Sequence, residues 1–203
     1  MTATAFLRII YSMVEIFDNK KWVWPLRIIL TLLCILMIAC IFSASLMDGE
    51  TSSNQSSTVT EIVDGAVDVI APDVMLGGSE EKEFEILHSF VRTTGHFAEF
   101  ALLSALITWC VLSYTEKRVF LTLPIGISLF VAFTDEYIQS FVGGRAQEMK
   151  DVLTDFCGAC VGFVCALVLV FIVKLIYRKI SNKKNERGMI ESIAVSVDEK
   201  DDA

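Results

Sequence analysis

The chain is poor in basic residues. Lys and Arg together number 17 against 25 Asp and Glu, for a formal net charge of −8. A nucleic-acid binder draws much of its affinity from neutralising phosphates, so this balance excludes that class of function. Cysteine is missing from the long polar stretch between the first two apolar runs. All six cysteines, Cys34, Cys40, Cys110, Cys157, Cys160 and Cys165, fall inside apolar runs, which leaves no disulfide framework of the kind that holds small secreted domains together. Cys157 and Cys160 form a CxxC, but no second pair completes a zinc site. Their neighbours Gly158, Ala159 and Gly162 point instead to close helix packing. No internal repeat is visible, and with it goes the usual signature of a transporter built from inverted halves.

What is abundant is apolar surface. Hydrophobic residues make up 54% of the chain, and the mean hydropathy is +0.57. Charged residues still account for 21%, so they must be segregated into loops, tails and special sites. The pattern is that of an all-α polytopic membrane protein, a bundle of about four transmembrane helices with a polar loop outside the membrane. Four apolar runs approach the roughly 20 residues that a helix needs to cross about 30 Å of hydrocarbon. They are Leu26 to Met47, Phe97 to Tyr114, Val119 to about Val142, and Phe156 to Tyr177. Pro124 is expected to kink the third near its beginning.

Orientation follows from the basic residues. With the N-terminus in the cytoplasm, Arg8, Lys20, Lys21, Arg27, Lys117, Arg118, Lys174, Arg178, Lys179, Lys183, Lys184 and Arg187 all lie inside, whereas only Lys82, Arg92, Arg145 and Lys150 lie outside. Both termini are therefore expected in the cytoplasm. The resulting organisation is a cytoplasmic segment 1–25, a first span 26–47, an exterior loop 48–94, a three-helix core 95–177 and a disordered cytoplasmic tail 178–203. The first span is too long, and its leader too extended, for an ordinary signal peptide cut after Ser43 or Ser45, and it reads as a retained helix. Thr51 to Thr58 reads as an exposed loop, and Thr60 to Ile70 as a short surface helix.

Ionisable groups within a span cost about 2.5 to 3.5 kcal/mol each at mid-helix on an insertion scale, so their positions carry information. Here they share one depth. Glu99 starts the second span; Asp135 and Glu136 come about 16 residues, or about 24 Å, into the third; Asp151 and Asp155 precede the fourth. At about 100° per residue, His88, Arg92, His96 and Glu99 fall within an arc of about 80°, one polar stripe along the second helix and its exterior extension. Asp135 and Gln139 share a face, and Asp151 and Asp155 share another with Gly158 and Gly162. Ion pairs such as Asp135 with Arg145, or Glu99 with Arg92, would seal the bundle end structurally. His88 reads as an exposed residue ahead of the span. A seal needs only one or two pairs, and the larger set points to a functional polar pocket.

The segments RTTGHFAEFALL (Arg92 to Leu103), TDEYIQSFVGGRAQEMKD (Thr134 to Asp151) and VLTDFCGACVG (Val152 to Gly162) closely resemble the VanZ-like family of membrane proteins. That family is named for a member associated with resistance to the glycopeptide antibiotic teicoplanin. FSASLMDGETSSNQSS (Phe42 to Ser57) is similar to the family's serine-rich segment after the first span. The resemblance marks Arg92, His96, Glu99, Asp135, Glu136, Gln139, Arg145, Asp151 and Asp155 as the family's polar signature, and therefore as candidate ligand-binding residues. Thr93 and Gly143 depart from its pattern, where a basic residue and a proline are common.

Two functions compete. In the first, an envelope protein binds a lipid-linked cell-wall precursor or envelope polymer in an outward pocket and so reduces glycopeptide access. Arg92 and Arg145 then contact phosphate or carboxylate, and the acidic groups accept hydrogen bonds. In the second, an intramembrane enzyme uses Glu99, Asp135 or Glu136 as general base and His96 as acid or orienting partner. A transporter ranks third. Membrane lipid is the expected surrounding partner. A divalent cation on Asp135, Glu136 and Asp155 lacks support from ligand spacing, so no metal ligand or cofactor is assigned.

Overall fold

The computed structural model describes residues 20–47, 56–63, 65, 80–115, 117–143 and 149–201. Among them the regular structure is entirely helical: α1 (Lys20–Ser45), α2 (Glu80–Tyr114), a 3₁₀ helix (Arg118–Thr122), α3 (Leu123–Gln139) and α4 (Met149–Asp201). Residues 56–63 form a further short helical segment. Four stretches are long and apolar enough to cross a membrane, Trp24–Ser45, Phe84–Tyr114, Val119–Gln139 and Met149–Ile180. Residues 19–166 make one compact unit. The other comprises 1–18 and 167–203, whose described part is the remainder of α4.

Each helix of the first unit buries one stripe. On α3 the buried residues are Pro124, Ser128, Val131, Ala132, Asp135, Glu136 and Gln139, a helical repeat that turns from apolar to polar as the helix proceeds. On α1, Leu30 and Ile41 are buried with Cys34, Met37 and Ile38 half-buried between them, and the stripe ends at buried Ser45. Phe100, Leu103 and Ile107 of α2 meet Ile41, Val131, Ala132 and Val152 in one core cluster. The opposite face of α1, with Ile28, Leu32, Ile35 and Leu36, is exposed, as expected of side chains that lie against lipid.

Contacts fix the helix directions. Arg27 Nε donates to the Ser113 carbonyl at 2.8 Å, and Thr31 Oγ1 lies 3.2 Å from the Tyr114 hydroxyl. These pair the start of α1 with the end of α2, so the two are antiparallel. Gly158 packs on the backbone of Phe97 and Gly162 on that of Ala101; the same four-residue step on both helices makes α2 and α4 parallel. A Cβ on Gly158 would lie 3.1 Å from Phe97 Cα and one on Gly162 2.7 Å from Ala101 Cα, each overlapping the carbonyl between. Only hydrogen fits at either position. Close packing through this pair, expected from the sequence, is therefore present, and Cys157 and Cys160 are free thiols beside it.

Several boundaries differ from expectation. The second helix starts at Glu80, well before Phe97, because Glu and Lys propagate a helix as well as apolar residues do. At about 1.5 Å per residue its 35 residues reach about 52 Å, more than a bilayer core. Pro124 does not kink α3. It occupies the first turn after the 3₁₀ helix, where its missing N–H costs nothing. In place of a disordered tail from 178, α4 continues to Asp201; no proline and only one glycine, Gly188, follow Gly162 to stop it. The helical segment 56–63 begins inside the expected loop Thr51 to Thr58.

Gly162→Ala should lower the detergent melting temperature of the purified protein, at a cost of about 1–3 kcal/mol for overpacking. Gly126 has nothing within 4 Å of an added Cβ, so Gly126→Ala should leave stability equal or raised. Equal melting of the two variants would place the α4 glycine face away from any neighbour.

Candidate functional site

The polar ends of these stripes converge at one end of the first unit. Asp135, Glu136, Gln139 and Asp155 are each at most 2% exposed, although all four are groups that water normally solvates. Asp135 is held from two sides. The Gln139 amide, one turn further on α3, donates to its Oδ2 at 2.7 Å, and the Ser45 hydroxyl at the end of α1 donates to Oδ1. The single hydroxyl proton of Ser45 is shared with the Ile41 carbonyl, 2.8 Å away. The first span thus supplies part of the site.

Asp155 is enclosed completely, and among the described residues neither of its oxygens has a hydrogen-bond partner. Its Oδ1 lies 3.7 Å from Nδ1 of half-buried His96, beyond hydrogen-bond range. One ligand atom each from His96, Asp135 and Asp155 falls within 4.8 Å of the others, so α2, α3 and α4 contribute one group apiece. Within this layer the carboxylates outnumber the bases.

A cavity of about 280 Å³ opens beside the cluster, lined among others by Ser45, Arg92, His96, Glu99, Asp135 and Gln139. Ser56 and Val59 of the short helical segment close part of its wall, and Thr60 of that segment is fully buried, its hydroxyl bonded to the Ser56 carbonyl at 2.8 Å. Arg92 is 45% exposed and pairs with Asp151, not Glu99, at 3.4 Å. The long Arg92 side chain bridges α2 to the start of α4 at this rim. His88 is half-buried and stacks on Phe84, with centroids 6.3 Å apart. Arg145 lies outside the described residues, and with it the expected pair to Asp135.

The structure therefore brings His96, Glu99, Asp135 and Gln139 to one cavity, with Asp155 behind them and Arg92 at its rim. Glu136 is buried on the same stripe of α3. Sequence reasoning missed Ser45, Ser56, Val59 and Thr60. Ser45 was discoverable as the polar end of the buried α1 stripe; the others lie in a Ser/Thr-rich stretch whose composition alone reads as loop. At the far end of α1 and α2, the Arg27 guanidinium lies 5.1 Å from the Tyr114 ring centre and 5.8 Å from that of Trp24. This is the aromatic and basic belt expected at a membrane boundary.

A family model described as VanZ/LLP1 matches residues 30–172, a range that contains the whole cluster and all three motif segments. No curated protein and no solved structure matches the chain.

Gln139→Leu removes a donor from a buried carboxylate and should destabilise the fold by about 1.5–3 kcal/mol. Arg92→Gln breaks a solvent-screened pair and should cost no more than about 1 kcal/mol. Denaturant titration in micelles checks both, and the reverse order would mean that the rim pair, not the buried cluster, fastens this end.

Proposed function

The chain belongs to the VanZ/LLP1 family, and from that premise we propose that it is a cell-envelope protein whose polar cavity binds a lipid-linked or cell-wall component and thereby lowers glycopeptide susceptibility. The observation that carries this reading is a cavity walled by His96, Glu99, Asp135 and Gln139 at the end of otherwise apolar helices. Buried polar groups at membrane depth are too costly to keep as filler. Arg92, exposed at the rim beside Asp151, suits a phosphate or carboxylate, and the acidic wall suits hydroxyl or amine groups.

Orientation is part of the proposal. Four alternating spans put both ends of the bundle chain on one side, and the basic bias assigns that side to the cytoplasm of a cell membrane. The cavity end then faces outward. A second reading, acid–base chemistry on an envelope lipid, draws on the 3.7 Å approach of His96 to Asp155 with Glu99 on the adjoining wall.

Mass spectrometry of material copurifying with the full chain in mild detergent should find an envelope lipid or cell-wall species that is lost from a His96→Ala, Asp135→Ala double variant. Cells expressing Glu99→Gln should lose any reduction in teicoplanin susceptibility given by the unaltered chain. A copurifying species retained by the double variant would overturn the assignment of the cavity.

In a cysteine-free background, single cysteines at Ser53 and Ser181 report the orientation. An impermeant thiol reagent on sealed cells should label only the former. Labelling at Ser181 would invert the topology.

A further inference from the structure

We propose that His96, Asp135 and Asp155 form a binding site for one divalent first-row transition-metal ion, Mn²⁺ or Zn²⁺, at the inner wall of the cavity. The inference rests on the same cavity as the proposed function and adds an ion to it.

Geometry supports it first. Ligand atoms at about 2.0–2.2 Å from a tetrahedral or octahedral ion lie about 2.8–4.4 Å from one another. The three atoms here lie within 4.8 Å, and the His96 to Asp155 pair, at 3.7 Å, already has a coordination-shell separation. A shift of a few tenths of an ångström, within side-chain rotation, completes the set. The spacing was invisible in the sequence because the three residues come from three helices, and the imidazole of His96 takes the place that Glu136 had in the carboxylate-only reading.

The second observation is Asp155 itself. A carboxylate with no exposed surface and no hydrogen bond to either oxygen among the described residues is under-coordinated, and its Oδ1 faces His96 at 3.7 Å in a group that includes Asp135. Asp135, by contrast, is oriented as ligating carboxylates are, by hydrogen bonds from outside the ligand set. Gln139 and Ser45 provide them.

Charge supplies the third reason. Glu99, Asp135, Glu136 and Asp155 crowd a layer of low dielectric in which His96 is the nearest base, and a divalent ion converts their repulsion into attraction. The donor set selects its class. One imidazole with two carboxylates suits Zn²⁺ or Mn²⁺ better than Ca²⁺ or Mg²⁺, which favour all-oxygen shells. Because His96 and Asp135 also line the cavity, the ion keeps coordination positions open toward it, where a phosphate, carboxylate or hydroxyl of a bound molecule fits.

The test uses Mn²⁺ alone, since the six thiols would draw Zn²⁺ elsewhere. The full chain in detergent, stripped with chelator, should bind one Mn²⁺ by electron paramagnetic resonance. Asp155→Asn and His96→Gln should each abolish that stoichiometric site. Ser45→Ala should weaken it about 10- to 100-fold. Glu85→Gln, an exposed carboxylate on α2, should leave it unchanged. The chain has two histidines, so imidazole nitrogen coupling to Mn²⁺ that persists in His88→Gln identifies His96 as ligand even if a buried variant fails to fold. Loose binding of several ions, binding insensitive to Asp155→Asn, or a signal without nitrogen coupling would overturn the site. Retention of an envelope species by a chain that binds no Mn²⁺ would remove the ion and leave the cavity reading intact. Stoichiometric Mn²⁺ in a chain that retains no such species would do the reverse.

Discussion

The backbone contact between α2 and α4 is the constraint on which the rest of the site depends. Without a hydrophobic driving force between helices in lipid, close approach must come from small residues that allow backbones to touch. Gly158 and Gly162 provide this against Phe97 and Ala101. His96 immediately precedes Phe97, and Asp155 sits three residues before Gly158, on the same stripe. The parallel register that fits the glycines under those carbonyls is therefore the register that brings imidazole and carboxylate to 3.7 Å. A side chain at either glycine would push apart the helices that carry two of the three converging groups.

Burial then does for α3 what glycine does for α4. Its inward stripe is mostly apolar up to Ala132 and polar from Asp135, so one continuous face first anchors the helix and then carries its buried carboxylates and amide. The change of character is expensive in a membrane, because a carboxylate removed from water must find new partners. Asp135 finds them in Ser45 and Gln139. Asp155 has no hydrogen bond among the described residues and only the 3.7 Å approach of His96. Two carboxylates thus lie at the same depth, one restrained by donors and one without them. The Arg92–Asp151 pair at the rim is solvated and contributes little by comparison.

Hydropathy made the number of spans and their rough extents legible, since about 20 apolar residues in succession have few other uses. Helical spacing correctly paired Asp135 with Gln139, and grouped Asp155 with the glycine face. The failures share a physical cause. The start of α2 at Glu80, beyond the extension expected back to His88, the proline-led start of α3 and the continuation of α4 beyond the apolar run depend on backbone propensity and capping, to which an apolar count is blind. Ser45, Ser56 and Thr60 were missed for another reason: a hydroxyl has almost no hydropathy signature, and its value lies in which carboxylate or wall it reaches after folding. The convergence of His96, Asp135 and Asp155 is tertiary, and their sequence separations carry no trace of it.

The two ends of the bundle differ in kind, and this difference limits how it can work. At one end Arg27 lies between Trp24 and Tyr114, the kind of basic and aromatic grouping that suits a membrane boundary. At the other, the helices part around about 280 Å³, slightly below the roughly 300 Å³ at which pockets for small molecules begin. Such a volume accommodates a headgroup, a sugar or a short peptide terminus, and excludes the whole of a lipid-linked precursor. In the proposed role, most of the ligand therefore remains in the leaflet or in water, while a small polar end enters among His96, Glu99 and Asp135. Recognition then rests on the charge and hydrogen bonding of that end, for which the desolvated wall is selective, and hardly at all on the length of what trails behind it.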